Sequence, residues 1–179
     1  SYLHDAQLVI DAASKCPQDL RLRLIGPVSK SDQEYLIGVA EKANFAESCI
    51  FMRDLSSDEL MAQYRAASVL IAPLSNDDGS LARFPSKLAD YLLSGRPVVT
   101  SRYGEAGYLL RHLETAYLAE SHSVEGYSQA ITIALADPSS VSVGERGRDL
   151  ALEQLSYEHY GKVISDFLKK QWSSFDCFT

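Results

Sequence analysis

Two charged residues near the middle of the chain have the types and the spacing of a ligand-binding site. Lys87 and Asp90 stand three residues apart in a segment with helical periodicity, so they occupy neighbouring positions on the helix surface. An ammonium group binds a phosphate as a point charge, and a carboxylate can accept two hydrogen bonds from a vicinal diol such as a ribose. The pair therefore suits a nucleotide. The same spacing also occurs in ordinary exposed ion pairs, so spacing alone leaves both interpretations open.

The segment that carries this pair has the pattern of a strand, a polar loop, a helix and a second strand. The apolar run 69–72 ends at Pro73, and residues 75–80 are small and acidic. Pro85 suits the first turn of a helix, and Gly95 suits its end. A stripe at every fourth position predicts the buried face of this helix: Phe84, Leu88 and Leu92. A helix N-terminus that follows a parallel strand in this way has free N–H groups that favour a phosphate.

Strand-like and helix-like segments alternate along most of the chain. The predicted strands are residues 21–25, 49–52, 69–72, 97–100 and 116–119. Helices are predicted from residue 1 to 15, after capping boxes at Ser31 and Ser56, at 108–112, and then at 123–135, at 142–154 and from Ser156 onward. This alternation predicts an α/β fold: a doubly wound, Rossmann-like parallel sheet with right-handed crossovers and extra C-terminal helices. A strand normally precedes the first helix of such a sheet.

The last helix carries an apolar stripe that we expect to pack against the domain. Its members recur at helical spacing: Tyr157, Tyr160, Ile164, Phe167 and Leu168. One domain, residues 1–171, and a tail, residues 172–179, are therefore predicted.

Composition narrows the class of protein further. The hydrophobic content is 46%, and the net charge of -7 argues against a general nucleic-acid-binding protein. The three cysteines are widely spaced, which favours reduced thiols: Cys16, Cys49 and Cys177. The four histidines do not have the spacing of a zinc site. The sequence has no signal peptide and no apolar run long enough for a bilayer, so the cytoplasm is the expected compartment.

Four segments together carry a resemblance to a known family. They are Leu-Ile-Gly-Pro at 24–27, Ile-Phe-Met-Arg-Asp-Leu-Ser-Ser-Asp-Glu-Leu at 50–60, Tyr-Arg-Ala-Ala-Ser-Val-Leu-Ile-Ala-Pro at 64–73 and Phe-Pro-Ser-Lys-Leu-Ala-Asp-Tyr-Leu-Leu-Ser-Gly-Arg-Pro-Val-Val at 84–99. In this order they resemble the carboxyl-terminal, donor-binding half of GT-B glycosyltransferases, specifically the family 4 retaining enzymes. The resemblance runs from about residue 6 to about residue 170, and the last segment is its most specific part.

The resemblance implies transfer of a sugar from a nucleoside-diphosphate donor to an acceptor hydroxyl, with retention at the anomeric carbon. It implies a donor site with four parts: a cleft floor at Gly26 and Pro27, a base-binding loop at Leu55, Ser56 and Ser57, a diphosphate site at Phe84, Pro85, Ser86 and Lys87, and a ribose-binding carboxylate at Asp90. Lys87 would stabilise the leaving phosphate. No metal or other cofactor is implied. An expected role is polysaccharide biosynthesis.

The sequence departs from the family pattern in two places. The first acid of the family's Glu-x7-Glu motif falls on Ala82, and Asp77 or Asp78 could reach in from the loop instead. Those two aspartates could also be read as a metal-binding pair, but they lack a third ligand at suitable spacing. The family's first strand and its cationic pair have no counterpart here, and the positions around His4 contain no lysine.

These departures make the chain look like a donor domain without its own first strand and without the amino-terminal acceptor domain. We expect such a fragment to bind nucleotide-sugar weakly and to transfer nothing alone. Any membrane contact, at the inner face, would come through the missing half.

Three other interpretations remain open at this stage. One is a non-catalytic GT-B-like module for assembly or regulation, which Ala82 favours. A second is a sugar-nucleotide epimerase, which would use a histidine in the cleft; none is expected at the carboxyl edge of this sheet. A third is a flavodoxin-like or receiver-like domain, but the chain lacks the acidic cluster of receivers.

Overall fold

The computed structural model of the chain describes residues 2–17, 19–76, 78 and 86–175. Five strands are described: β1 (Leu22–Ile25), β2 (Cys49–Met52), β3 (Leu70–Ala72), β4 (Val98–Ser101) and β5 (Tyr117–Ala119). The described α-helices are α1 (Tyr2–Ala13), α2 (Lys30–Lys42), α3 (Ser57–Ala66), α4 (Ser86–Leu93), α5 (Gly104–Leu109), α6 (Val124–Ala136), α7 (Ser140–Gln154) and α8 (Tyr157–Phe175). A short 3-10 helix (Ala46–Ser48) precedes β2. The predicted α/β class is confirmed.

The strands pair in parallel, as predicted, but they form two sheets in the described part of the chain. One sheet contains β1 and β2, with Leu22 opposite Cys49. The other has the order β3-β4-β5, with Leu70 opposite Val98 and Val99 opposite Tyr117. Since each sheet is parallel, the carboxyl ends of its strands lie at one edge.

Helices cover both faces of the strands and create three apolar clusters. On one face, Leu88 and Leu92 of α4 pack with Leu70, Val98 and other residues of one cluster. On the opposite face α6 covers β4 and β5, and α1 and α2 cover β1. All four residues of β4 are buried, since this strand lies between the two helix layers and has a paired strand on each side.

Two predicted helix starts were wrong. The N-cap of α2 is Ser29, whose hydroxyl accepts a hydrogen bond from Asp32 N at 3.1 Å, rather than Ser31. Both serines have a suitable side chain, and the Ser31 hydroxyl lies 2.9 Å from that of Ser29 instead of capping. The helix predicted at 108–112 spans Gly104–Leu109, so it begins earlier and ends before Leu110, whose side chain is buried.

The expectation that the apolar stripe of the last helix packs against the domain was also wrong. Ser156 caps α8 as predicted, because its hydroxyl accepts a hydrogen bond from His159 N at 3.1 Å. However, Tyr157 is 98% exposed and Phe167 is 59% exposed. The helix leaves the body of the domain, and the predicted stripe stays in contact with solvent along its length: Tyr157, Tyr160, Ile164, Phe167 and Leu168.

The state of the cysteines and the absence of a membrane span were also expected. Cys16 and Cys49 are free, half-buried thiols, and burial raises the pKa of Cys49 to about 11. Cys177 lies outside the described residues. No helix within the described ranges combines the length and apolarity that a membrane span requires.

Glycines let α7 lie close to the turn that follows α4. A Cβ added at Gly144 would come within 2.4 Å of the carbonyl oxygen of Gly95, and one at Gly147 within 2.5 Å of that of Thr115. Both neighbours are backbone atoms, one in the turn that joins α4 to β4 and one in the segment just before β5, and backbone yields less readily than a side-chain end. The position of α7 therefore depends on the absence of a side chain at these sites.

We expect Gly144→Ala to lower the free energy of unfolding by about 1–3 kcal/mol, because overpacking outweighs the gain in helix propensity. Urea denaturation followed by circular dichroism would measure this. Gly161→Ala on α8 is the matched control: nothing lies within 4 Å of its added Cβ, so the change should leave stability equal or slightly higher. Equal stability of both variants would contradict the close approach at Gly144.

Candidate functional site

The loops that follow the strands lie at the carboxyl edges of the two sheets, and they contain most of the predicted site residues. Gly26 and Pro27 follow β1, Leu55 precedes α3, and α4 follows the loop after β3. This edge is where α/β sheets bind ligands.

Helix α4 is anchored by its buried face. Leu88 and Leu92 are fully buried, as the stripe predicted. Tyr91 packs edge-on against Tyr64 of α3, with ring centroids 5.0 Å apart and an interplanar angle of 78°. Gly95 takes a φ of +74° and its N–H donates to Leu92 O at 2.9 Å, which ends the helix where predicted. The first turn of α4 is thus held by the core beneath it.

Lys87 and Asp90 lie on the outer surface of α4, and both side chains are exposed. No ion pair between them occurs among the described residues, so the ordinary surface salt bridge that their spacing also allowed does not form. Burial, coupling to Tyr64 and the negative charge of Asp90 raise the pKa of Tyr91 to about 12. Asp90 therefore lies beside the tyrosine pair with its carboxylate accessible.

The other predicted diphosphate residues are only partly described. Ser86 begins α4 and is exposed. Phe84 and Pro85 lie outside the described residues, as do Ala82 and Asp77. The stripe prediction for Phe84 is therefore untested.

The base-binding loop predicted at residues 55–57 is held by a capping box at the N-terminus of α3. The Glu59 carboxylate accepts hydrogen bonds from Ser56 N at 2.8 Å and from the Ser56 hydroxyl at 2.7 Å, while Glu59 N donates to that hydroxyl. The predicted box is confirmed. The amide of Ser56 is therefore satisfied within the loop.

Gly26 forms an open position at the carboxyl end of β1. Its N–H donates to Met52 O at 3.1 Å, which extends the β1–β2 pairing by one residue. A Cβ added there would meet no described atom within 4 Å. The space beside Gly26 is therefore free for a ligand.

A buried hydrogen-bond network, which sequence reasoning missed, fixes the start of the loop after β3. The Tyr127 hydroxyl accepts a hydrogen bond from Leu74 N at 3.1 Å and donates to the Ser101 hydroxyl at 3.0 Å. Ser101 in turn donates to Leu74 O, and Thr100 donates to Ala72 O at 2.7 Å. Tyr127 reads in the sequence as one more apolar residue of α6, so only its contact 53 residues away reveals this role.

A histidine does lie at the carboxyl edge, contrary to the expectation used against an epimerase. His122 follows β5, and its Nε2 lies 3.7 Å from Asp5 Oδ1 in the first turn of α1. The His122 ring packs edge-on against Tyr127, with centroids 5.9 Å apart. The prediction failed because no short pattern in the sequence indicates that the loop after β5 turns back toward the start of α1.

One cavity brings several of these elements together. It has a volume of about 750 Å³, and its lining includes Ile25, Pro73, Lys87, Tyr64 and Tyr91. The ends of β1 and β3 thus lie beside the first turn of α4. Gly26, Pro27 and residues 55–57 are not among the described residues that line it.

The fold is that of the carboxyl-terminal domain of GT-B glycosyltransferases. Residues 3–150 match the family described as "Glycosyl transferases group 1". Because that match extends over most of the chain, the chain belongs to this family.

Curated relatives share limited identity with the chain. A D-inositol 3-phosphate glycosyltransferase of Pseudarthrobacter chlorophenolicus is 24% identical over 143 residues, which cover 77% of this chain and 33% of that protein. A D-inositol 3-phosphate glycosyltransferase of Acidothermus cellulolyticus is 31% identical over 114 residues, 62% of this chain and 24% of that protein. The chain thus spans a third or less of the length of these relatives.

Solved structures support the fold. HepE of Anabaena, solved in complex with UDP and glucose, superposes with a TM-score of 0.79 at 18% identity, over 95% of this chain and 46% of that one. The C-terminal domain of the group 1 glycosyl transferase LpcC of Francisella tularensis superposes with a TM-score of 0.72 at 19% identity, over 88% and 82%. The chain therefore has the predicted fold, that of the carboxyl-terminal half of a GT-B glycosyltransferase.

We expect Tyr127→Phe to lower the free energy of unfolding by about 1–2 kcal/mol, because Leu74 N and the Ser101 hydroxyl lose a buried partner. Amide hydrogen exchange at Leu74 should accelerate beyond the change at Val99, which lies on a strand paired on both sides. Tyr108→Phe, at a side chain that is 89% exposed, is the control and should alter neither quantity.

The capping box at Ser56 should make stability depend on pH. Hydrogen bonds from Ser56 lower the pKa of Glu59 below its usual 4.5. A lowered pKa stabilises the fold above pH 4.5, and this contribution is lost as the pH falls through the folded-state pKa. The stability difference between wild type and Glu59→Gln should therefore shrink between about pH 5 and pH 3 in urea titrations.

Glu59→Gln in a Ser56→Ala background supplies the control for this effect. Without the Ser56 hydroxyl, the difference caused by Glu59→Gln should vary less with pH. A difference that stays constant with pH in the wild-type background would contradict the role assigned to the box.

Proposed function

We propose that this chain is the donor-binding half of a retaining glycosyltransferase that transfers a sugar from a nucleoside diphosphate to an acceptor hydroxyl. The observation that carries the proposal is the first turn of α4. Lys87 is exposed there, in a cavity lining that also includes the ends of β1 and β3, and Asp90 is exposed one turn further along the helix. Neither side chain forms an ion pair with another described residue. A cation and a carboxylate near a helix N-terminus suit a diphosphate and a ribose.

The relatives support this donor class. HepE of Anabaena was solved in complex with UDP-glucose, and the curated relatives are named as D-inositol 3-phosphate glycosyltransferases. We infer a nucleoside-diphosphate sugar as donor. Retention at the anomeric carbon and a role in polysaccharide biosynthesis belong to the same proposal.

Leaving-group stabilisation would be the main contribution of this half to catalysis. As the bond from the sugar to the diphosphate breaks, negative charge grows on the leaving phosphate. Lys87 and the N–H groups at the start of α4 would stabilise that charge, and one such preorganised donor can contribute about 3 kcal/mol. On this proposal amide dipoles and the ammonium group fill the role that a metal ion fills elsewhere, so no metal or cofactor is required.

The acceptor would bind to an amino-terminal domain, as the coverage of the relatives suggests. We propose that this domain alone does not catalyse transfer, that the complete enzyme acts in the cytoplasm, and that any contact with the inner face of a membrane is made by the other half. A non-catalytic module is the second candidate, since Ala82 occupies the position of a family acid. Membership in a transferase family favours transfer over epimerisation despite His122.

The donor site can be tested part by part by isothermal titration of the full-length protein with UDP, GDP and uridine. Lys87→Ala should weaken the binding of UDP or GDP, whichever of the two the protein binds, by about tenfold or more. It should leave uridine binding unchanged, because it removes only a phosphate contact. Asp90→Asn should weaken the binding of the nucleoside diphosphate and of the nucleoside alike, because it removes a contact to the ribose.

Lys162→Ala and Asp166→Ala are the matched controls, since they remove the same charges from exposed positions on α8. Neither should change the affinity for any of the three ligands. Unchanged affinity in both α4 variants would refute the site. Intact nucleotide-sugar binding with no transfer by the wild-type protein would favour the non-catalytic module.

A further inference from the structure

Strand β5 needs a hydrogen-bond acceptor from outside its sheet. Among the described strands it pairs only with β4, so its other side is an open edge. Its three residues are nonetheless at most 3% exposed, so water does not pair with the peptide groups there: Tyr117, Leu118 and Ala119. A buried N–H group without a partner is unfavourable. Whatever covers this edge must therefore supply an acceptor.

A histidine in the connection between α5 and β5 supplies that acceptor. The Leu118 N–H donates to Nδ1 of His112 at 2.9 Å. Ala116 N donates to Arg111 O, which folds residues 111–116 into a turn, and His112 forms a β-bridge with Ala116. The imidazole thus occupies the place that a neighbouring strand would take.

The direction of this hydrogen bond fixes the protonation state of the ring. A backbone N–H can only donate, so Nδ1 of His112 must accept through its lone pair. The ring is therefore neutral and carries its proton on Nε2. A protonated ring has an N–H at both positions and would set one of them against the N–H of Leu118. The binding of one proton therefore breaks the bond.

Charged groups on the surrounding elements affect this proton. Burial lowers the pKa of His112 below its ordinary value of 6.5, the positive charge of Arg102 after β4 lowers it further, and the negative charge of Glu120 after β5 opposes both. Arg146 of α7 adds a positive charge beside the turn, where it donates to Glu114 O at 2.7 Å. The charged side chains of the turn itself are exposed: Arg111 and Glu114. The folded chain thus binds this proton less readily than the unfolded chain.

We propose that His112 is a pH-dependent cap on the edge of β5, which is closed while the ring is neutral and opens when the ring is protonated. On opening, the turn 111–116 moves off the strand, and water reaches the N–H of Leu118. The stability that the cap contributes is complete above pH 6.5 and is lost as the pH falls from that value toward the folded-state pKa. This inference does not depend on the proposed function, since it rests only on the edge of β5.

NMR of the 15N-labelled chain tests the bond directly. The 15N shifts of the His112 ring should show a proton on Nε2 alone at about pH 7.5 and on both nitrogens at the acid end of the titration. The amide shift of Leu118 should follow the same titration with the same midpoint, because the two groups share the bond. A proton on Nδ1 at about pH 7.5, or a Leu118 amide that does not respond, would overturn the proposal.

Amide hydrogen exchange measures the opening. Backbone groups alternate in direction along a strand, so the N–H groups of Tyr117 and Ala119 point to β4 and serve as internal references. Relative to theirs, the protection factor of Leu118 should fall by at least about tenfold as His112 is protonated, since one buried hydrogen bond is lost. Equal loss at the three amides, or no loss, would count against the cap.

His112→Asn is the variant that separates the proton from the packing. The Oδ1 atom of asparagine is attached at the same position as Nδ1 of histidine and accepts a hydrogen bond at every pH. This variant should keep the protection of Leu118 constant across the titration, whereas His112→Ala should show low protection throughout. His4→Asn, at an exposed position of α1, is the matched control and should behave as the wild type.

Protection at Leu118 that still falls with pH in His112→Asn would assign the effect to another group and refute the role of His112. If His112→Ala does not fold, the wild type and His112→Asn decide the question by themselves. In urea titrations the wild type should lose stability relative to His112→Asn only below about pH 6.5. A relative gain there would also contradict the proposal.

Discussion

Burial of β4 on both faces and both edges is the constraint on which the described domain depends. Val98 and Val99 point into opposite helix layers, and the two polar residues that follow, Thr100 and Ser101, are fully buried. A buried hydroxyl without a partner is costly, so both must find acceptors. They find them in the carbonyl groups at the end of β3 and just after it, and this ties the carboxyl edge of the sheet to its centre.

The position of the candidate site depends on these hydrogen bonds. Since Leu74 is fixed through Ser101 and Tyr127, the loop after β3 leaves the sheet at a defined point. At the other end of the loop, Leu88 and Leu92 hold α4 in the core. The hydrophobic face thus decides the orientation of the helix, and the charged residues on its other side are left exposed at the edge.

Short sequence patterns predicted the caps and ends of helices well. They failed where two neighbouring residues suited the same role. The capping box of Ser56 and Glu59 and the end of α4 at Gly95 depend on residues within a turn of each other, so spacing was sufficient. At the start of α2, Ser29 and Ser31 were both plausible caps, and the sequence did not distinguish them. The stripe of α8 was correctly recognised as apolar, but periodicity alone does not say what covers it.

The sequence by itself determined the order of strands and helices, the parallel α/β class and the helix that carries Lys87 and Asp90, because periodicity, caps and helix-ending residues act over a few positions. Tertiary structure decided what depends on distant partners: the contact between Tyr127 and Leu74, the approach of His122 to Asp5, and the cavity lined by β1 and β3. Such contacts join residues that are far apart in the chain. Their formation depends on how whole layers pack, which no short pattern encodes.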